Sequence, residues 1–313
     1  MSRLRLVFLA GFWPLCVTVA LPHARGFHPA LDSAGHFWMH ACAVLAAASL
    51  AGLALGLRRT ALAGLGLMGA ALLAMAMATE TGLPRHARAA PAGPGLTLLQ
   101  FNTLFANRDA NAVVRMIRAS KADAVTLQEV TPAMRAALES LRDAYPRQLH
   151  CPGATRIGGV SVLTKLDGLE GSCAGSRLLA AALPVTVDGQ SLAIVSLHLK
   201  WPWPHGQNEQ VASLGRFFAL QRQQLVMAGD LNAAPWSATA KRLAQASGTK
   251  IAPGYRPSWL MPELSSGLRP ILGLAIDHAF APSALRLADA HVLAGAGSDH
   301  LPVLFTFVPR DRH

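Results

Sequence analysis

The sequence predicts a layered α/β protein, in which sheet is covered by helices, carried behind an N-terminal helical region that crosses a membrane. Three observations support this. Three long runs before residue 80 contain no Asp, Glu, Lys or Arg. After residue 95, short apolar strand-like runs alternate with helical periodicities. The ends of those strands repeatedly carry carboxylate, amide and imidazole side chains.

The uncharged runs are residues 6–21, 36–57 and 60–79 of a chain of 313 residues that is 52% hydrophobic. At about 1.5 Å per residue, the second run reaches roughly 33 Å, enough to cross a hydrocarbon core of about 30 Å. A soluble buried helix rarely stays uncharged for so long. The first run, behind Arg3 and Arg5, also fits a signal peptide, although no clean small-residue cleavage site follows. Arg58 and Arg59 make up nearly the whole link between the second and third runs, and such a pair prefers the cytoplasm. Segment parity then puts everything past residue 80 outside, whether the first run is kept or cleaved. The expectation is a multi-pass protein of a bacterial-type inner membrane with an extracytoplasmic domain. His36 and His40 lie four apart beside Phe37 and Trp38 and read as an interfacial belt before a metal pair.

Residues 1–80 therefore form the membrane region, residues 81–95 a Pro-, Gly- and Ala-rich tether, and residues 96–313 the outer domain. The outer domain holds 21 Lys and Arg against 15 Asp and Glu, a net of +6, which mildly favours anionic partners without choosing among them. Cys16 and Cys42 read as small apolar residues of the membrane runs. Cys151 and Cys173 lie beyond an oxidising boundary, where a disulfide is the better expectation. No CxxC or closely spaced His pair points to zinc in this domain, and no repeat or low-complexity tract stands out.

Strands are predicted over 96–101, 123–130, 158–164, 191–199, 224–230, 275–282 and 302–307, and helices over 109–120, 133–142, 206–221 and 237–246. Asn102 follows "LLQF", Glu129 closes "VTLQE", His198 closes "IVSLH", and Asp230 and Asn232 follow "VMAG". Asp277 lies in "LAIDHAF", and Asp299 and His300 in "GSDHLPV". Carboxylates, amides and imidazoles without thiolates form a hard-ligand set suited to Mg2+, with Mn2+ as a substitute. A phosphate ester needs such a site, because its hydrolysis requires charge neutralisation at the phosphoryl oxygens, an oriented water and groups facing the leaving oxygen. Taken singly, each fragment also fits a turn residue or a buried ion pair.

In order and position, the fragments over about residues 96–308 resemble the endonuclease/exonuclease/phosphatase superfamily, here as a pancreatic deoxyribonuclease-like, membrane-anchored bacterial-type member. The resemblance implies a four-layer α/β sandwich, two packed sheets flanked by helices. It also implies a Mg2+-dependent phosphoesterase, either a phosphodiesterase or nuclease or a phosphatase. By that resemblance Asn102 and Glu129 bind the metal, with Asp299 supporting it. Asp230 and Asn232 position the nucleophilic water and the phosphate, His198 contacts phosphate, and Asp277 pairs with His300. Some relatives carry an Asp where this chain has Leu104, so a single tightly held ion is expected. His278 reads as packing. The loop with Trp201 and Trp203 could cap the sandwich, stack on a base or meet the membrane interface.

The expected substrate is a phosphate ester of a nucleic acid, a nucleotide or a lipid headgroup, with the membrane contacted through the N-terminal helices and no protein partner implied. The alternatives are a catalytically retired scaffold on the same fold and, among enzymes, a sphingomyelinase-like lipid hydrolase. A retired site would be expected to lack one of Glu129, Asp230, Asp277 or His300, and all four are present.

Overall fold

A computed structural model describes residues 2–79 and 95–310. The expected tether, apart from Gly95, lies outside the described residues. The N-terminal region folds into helices α1 (Arg3–Ala20), α2 (Pro29–Ala34), α3 (Trp38–Ala54) and α4 (Arg58–Thr79). Three of its helical stretches, Arg3–Ala24, Pro29–Ala54 and Arg58–Ala76, are long and apolar enough to cross a membrane. The Arg5 guanidinium donates to the Leu55 carbonyl at 2.8 Å, which ties the start of α1 to the turn before Arg58 and Arg59. All four arginines therefore share one end of the helical cluster, and the 21–37 connection lies at the other.

The remainder is built from two six-stranded sheets. The first runs in the order β11 (Leu285–Val292), β12 (Val303–Pro309), β1 (Leu96–Asn102), β2 (Ala124–Val130), β4 (Gly159–Thr164) and β3 (Arg147–Cys151). The second runs β5 (Ser172–Cys173), β6 (Ala180–Val187), β7 (Gln190–His198), β8 (Gln224–Asp230), β10 (Asp277–Ala281) and β9 (Lys250–Ile251). Between them, Leu98, Val160, Val162, Ile194, Val226 and Phe305 form the central core. On one outer face, α5 (Ala110–Ser120) and α6 (Pro132–Leu138) bury Val113, Ile117 and Met134. On the other, α7 (Gln207–Ala219) and α8 (Ala238–Ser247) bury Val211, Leu214 and Leu243. The result is the expected four-layer sandwich. The caps are short polar side chains: Asp109 accepts from Ala112 N at 2.8 Å to start α5, and Ser237 accepts from Ala240 N at 2.9 Å to start α8.

Each sheet has one parallel pair near its centre, β1 with β2 and β7 with β8. The carboxyl ends of these four strands emerge on one edge of the sandwich, where backbone groups are free to meet a ligand. There the register sets His198 opposite Asp230 and Asp277 opposite the same Asp230. Cys151 on edge strand β3 and Cys173 on edge strand β5 form a disulfide with a Cα–Cα separation of 5.6 Å, linking the two sheets along one side.

The helical cluster and the sandwich share an apolar core in which Phe12, Trp38 and Leu45 pack with Ala234 and Trp236. Polar contacts add to it. Asp32 accepts from Ala238 N at 2.8 Å and Thr239 N at 3.0 Å at the start of α8, and the Trp236 indole donates to the Gly35 carbonyl at 2.9 Å.

Candidate active site

Seven of the eight residues singled out from the sequence lie together at the carboxyl ends of the central strands, joined by hydrogen bonds and by close charge contacts. The Asn102 amide, closing β1, donates to Glu129 Oε1 at 3.0 Å and to Asp230 Oδ2 at 2.9 Å, bridging the two sheets. Asp230 Oδ2 stands 3.6 Å from both His198 Nε2 and His300 Nε2. His300 Nδ1 pairs with Asp277 Oδ2 at 2.8 Å. Asn232 donates its backbone N–H to Asp230 Oδ1 at 2.8 Å, while its amide reaches Leu199 O at 2.8 Å and lies 3.4 Å from His198 Nε2. Asp299 is one step removed: Ser298 Oγ donates to the Asn102 carbonyl at 2.8 Å and approaches Asp299 Oδ1 at 3.3 Å.

The backbone is strained where the network needs it. Glu129, Leu104 and Asn232 have φ of +56°, +61° and +45°, in a region that L-residues enter only when their surroundings hold them. A bulge between Gln128 and Val130 turns Glu129 out of the β2 ladder toward Asn102, and Phe105 N–H fixes its second oxygen at 2.8 Å. Leu104 N–H donates to Asn102 Oδ1 at 3.0 Å, so the position lacking the relatives' Asp serves to brace Asn102 through its backbone.

Electrostatics separates the three central titratable groups. Burial raises the Asp230 carboxyl to about 6, despite the opposing pull of the imidazoles of His300 and His198. Burial also disfavours a charged His300, but Asp277 and Asp230 override it and raise the imidazole to about 10. At Asp277 burial acts to raise the carboxyl, yet charge and hydrogen bonds from His300, Ser258 and Gln100 leave it lowered. These shifts favour two carboxylates around one imidazolium near neutrality. His278 behaves as expected for packing: it is buried, its Nε2 sits 3.0 Å from the Ala233 carbonyl, and burial lowers it to about 4.

Two sets of oxygen and nitrogen atoms could be considered for a divalent cation. Asp230, Asp277 and His300 bring ligand atoms within 4.8 Å of one another. A protonated imidazole has no lone pair to give, and its single positive charge balances only one of the two carboxylates, leaving the cluster with a net negative charge that attracts a cation. Asn102 and Glu129 are amide and carboxylate groups without sulfur, the ligand types that suit a Mg2+-like ion, although here the Asn102 amide nitrogen faces Glu129 and Asp230 while its oxygen accepts from Leu104 N–H.

The structure adds residues that motif reading did not find. Gln100 donates to Asp277 Oδ1 at 2.9 Å, Ser258 donates to Asp277 Oδ2, and Trp259 and Arg269 hold Asp299 at 2.8 Å and 2.7 Å through its carboxylate and carbonyl. His36 is buried against the site loop and does not face an interface as expected. Its Nδ1 is 2.6 Å from the Ser33 carbonyl, its Nε2 is 3.0 Å from the Asn232 carbonyl, and its ring stacks on Trp201 at 4.4 Å. Trp201 therefore packs on the N-terminal helical region through His36, while Trp203 remains 52% exposed. Only the separation of His36 and Asn232 in sequence hid this contact.

Residues 99–300 match the sequence model of the Endonuclease/Exonuclease/phosphatase family. No curated protein matches the chain significantly in sequence. Solved structures do match in fold. One is an endonuclease/exonuclease/phosphatase from Bacteroides vulgatus, at 13% identity and TM-score 0.56, covering 70% of this chain and 100% of that one. Another is D. rerio TDP2 complexed with single strand DNA product, at 16% identity and TM-score 0.54, covering 68% and 99%. The human Nocturnin catalytic domain with bound sulfate anion matches at 16% identity and TM-score 0.52, covering 69% and 94%.

Proposed function

Because the chain belongs to the endonuclease/exonuclease/phosphatase family, whose members hydrolyse phosphate esters, we propose that it is a Mg2+-dependent phosphodiesterase held on the outer face of a membrane. The observation that carries the reading is the buried array in which Asn102 joins Glu129 to Asp230 while His300 sits between Asp230 and Asp277. Asn102 and Glu129, supported by Asp299, would hold the metal. A hard divalent cation supplies charge neutralisation at the phosphoryl oxygens.

The chain's own residues do the rest. Asp230, ionised above about pH 6, accepts a proton from the attacking water, and the Asn232 N–H fixes the carboxylate's orientation. The His300 imidazolium, kept charged by Asp277, faces the charge that builds on the phosphoryl group and leaving oxygen. His198 and the Asn232 amide flank the same space. Burial excludes water from these groups and strengthens each interaction. A retired scaffold is disfavoured because the array is complete and positive φ is kept at Glu129 and Asn232, both members of it.

The division into a membrane region (1–80), tether (81–95) and phosphoesterase domain (96–313) belongs to the same proposal. Purified full chain should hydrolyse bis-p-nitrophenyl phosphate when Mg2+ is present and lose that activity on chelation. A panel of DNA, RNA, sphingomyelin and inositol phosphates then identifies the ester class. Failure of every substrate with Mg2+ or Mn2+ supplied would sink the enzymatic reading.

A further inference from the structure

The side of the sandwich opposite the disulfide is open. Between edge strands β11 and β9, and beneath the turn that joins α1 to α2, lies a cleft of about 500 Å³ lined by Arg25, Lys241, Lys250, Arg286 and Arg310, with Phe307 among its apolar residues. Among the described residues no carboxylate lines it. Arg25, Lys241, Arg286 and Arg310 converge on one concavity and repel one another, and an anion that enters relieves that repulsion. The site array is elsewhere: none of Asn102, Glu129, His198, Asp230, Asp277 or His300 lines this cleft.

Its position selects the anion. Arg25 is the first residue after the apolar helical stretch Arg3–Ala24, and the next such stretch begins at Pro29. On the proposed membrane reading, on which this inference rests, Arg25 stands where a span leaves the hydrocarbon and enters the headgroup layer. Two residues on, Phe27 is 89% exposed, an aromatic ring at the depth where rings partition into the interface. A cleft whose only charged lining residues among those described are cations, and which begins at headgroup level, meets anionic lipid before it meets any soluble ligand.

We propose that this cleft binds the phosphate headgroup of an anionic phospholipid from the bilayer in which the helices sit, the acyl chains remaining in the membrane. The proposal does not depend on the catalytic reading. Each cation near a charged membrane surface is worth about fivefold in partitioning, so reversing three should weaken retention by about 10²-fold or more.

The test uses full chain in mild detergent and native mass spectrometry, with phosphatidylglycerol or phosphatidylcholine added in equal amounts. Lys241→Glu, Arg286→Glu and Arg310→Glu combined alter exposed side chains only. A control combining Arg115→Glu, Arg135→Glu and Arg216→Glu makes the same charge change on α5, α6 and α7. The expected result is selective retention of phosphatidylglycerol by the parent and the control, lost in the cleft variant, with unchanged thermal melts. Equal retention by the cleft variant and the control, or no preference for the anionic lipid, overturns the proposal. Release of the lipid by millimolar inorganic phosphate would show a site for free phosphate and overturn the lipid assignment.

Discussion

Asp230 and His300 both titrate above their ordinary ranges, burial raising the carboxyl to about 6 and the neighbouring carboxylates raising the imidazole to about 10. If Asp230 must be ionised to take the proton from water, kcat falls as pH drops through about 6. If His300 must be charged, kcat falls again as pH rises through about 10. A bell with these limbs is the expected profile of kcat. Asp277→Asn removes the nearest charge sustaining the imidazolium, so it should move the alkaline limb to lower pH while leaving an acid limb in place. Asp230→Asn is nearly isosteric and should lower kcat by about 10²- to 10⁴-fold with little change in KM. Glu129→Gln should instead raise the Mg2+ concentration needed for half-maximal rate. A near-parent kcat in Asp230→Asn would return Asp230 to the role of a turn residue. These residues were legible in the sequence because each stands at the end of an apolar strand. Gln100 was not, since it sits within the "LLQF" run, and Ser258, Trp259 and Arg269 come from an irregular segment without periodicity.

Elements were legible where one physical signal dominated. Strands β1, β2, β4, β7, β8, β10 and β12 are apolar runs ended by polar residues, and α5 to α8 carry a clear 3.6-residue period; the structure places them within a few residues of expectation. β6 escaped notice because "AAALPVTV" combines poor strand formers with Pro184, tolerated where two-residue β5 leaves that part of the strand without a second partner. β11 is only partly buried and carries Asp289, and β3 lies on an edge. The Cys151–Cys173 bond closes the side on which β3 and β5 lie. Replacing both cysteines by alanine should cost about 3 kcal/mol by chain entropy while sparing kcat, because the site lies at the strand ends. Thermal melts and rates of the pair variant check both halves of that statement. The 29–37 segment has the opposite signature. Asp32→Ala leaves Ala238 N–H and Thr239 N–H without their buried acceptor. It should cost about 1 to 3 kcal/mol and also lower kcat, since the loop after Asn232 loses its support. A melt that does not move would remove Asp32 from any role in joining helices to sandwich.

Across the whole molecule, charge, connectivity and oxidation state support one orientation. Arg3, Arg5, Arg58 and Arg59 gather at the end of the helical cluster away from the sandwich, joined there by the Arg5 to Leu55 hydrogen bond. The sandwich packs on the other end, through Asp32, Gly35 and His36. Cationic clusters next to spans are retained in the cytoplasm, so the sandwich should lie outside it, where a disulfide persists. In sequence order alone, Arg3, Arg5, Arg58 and Arg59 on one side are set against Arg25, Arg85 and Arg88 on the other, a bias of only one charge. The packing strengthens it, since the span connection that touches the sandwich lacks an arginine pair. Alkaline phosphatase fused after His313 should therefore be active in cells, and a reporter that works only in the cytoplasm should be silent at the same position. Moving the paired charge tests the cause: Arg58→Ala and Arg59→Ala, with Phe27→Arg and His28→Arg, should reduce phosphatase activity by inverting part of the population. An inactive phosphatase fusion on the parent chain, beside an active cytoplasmic reporter, would place the sandwich inside and leave the charge at Arg58 and Arg59 without a role in topology.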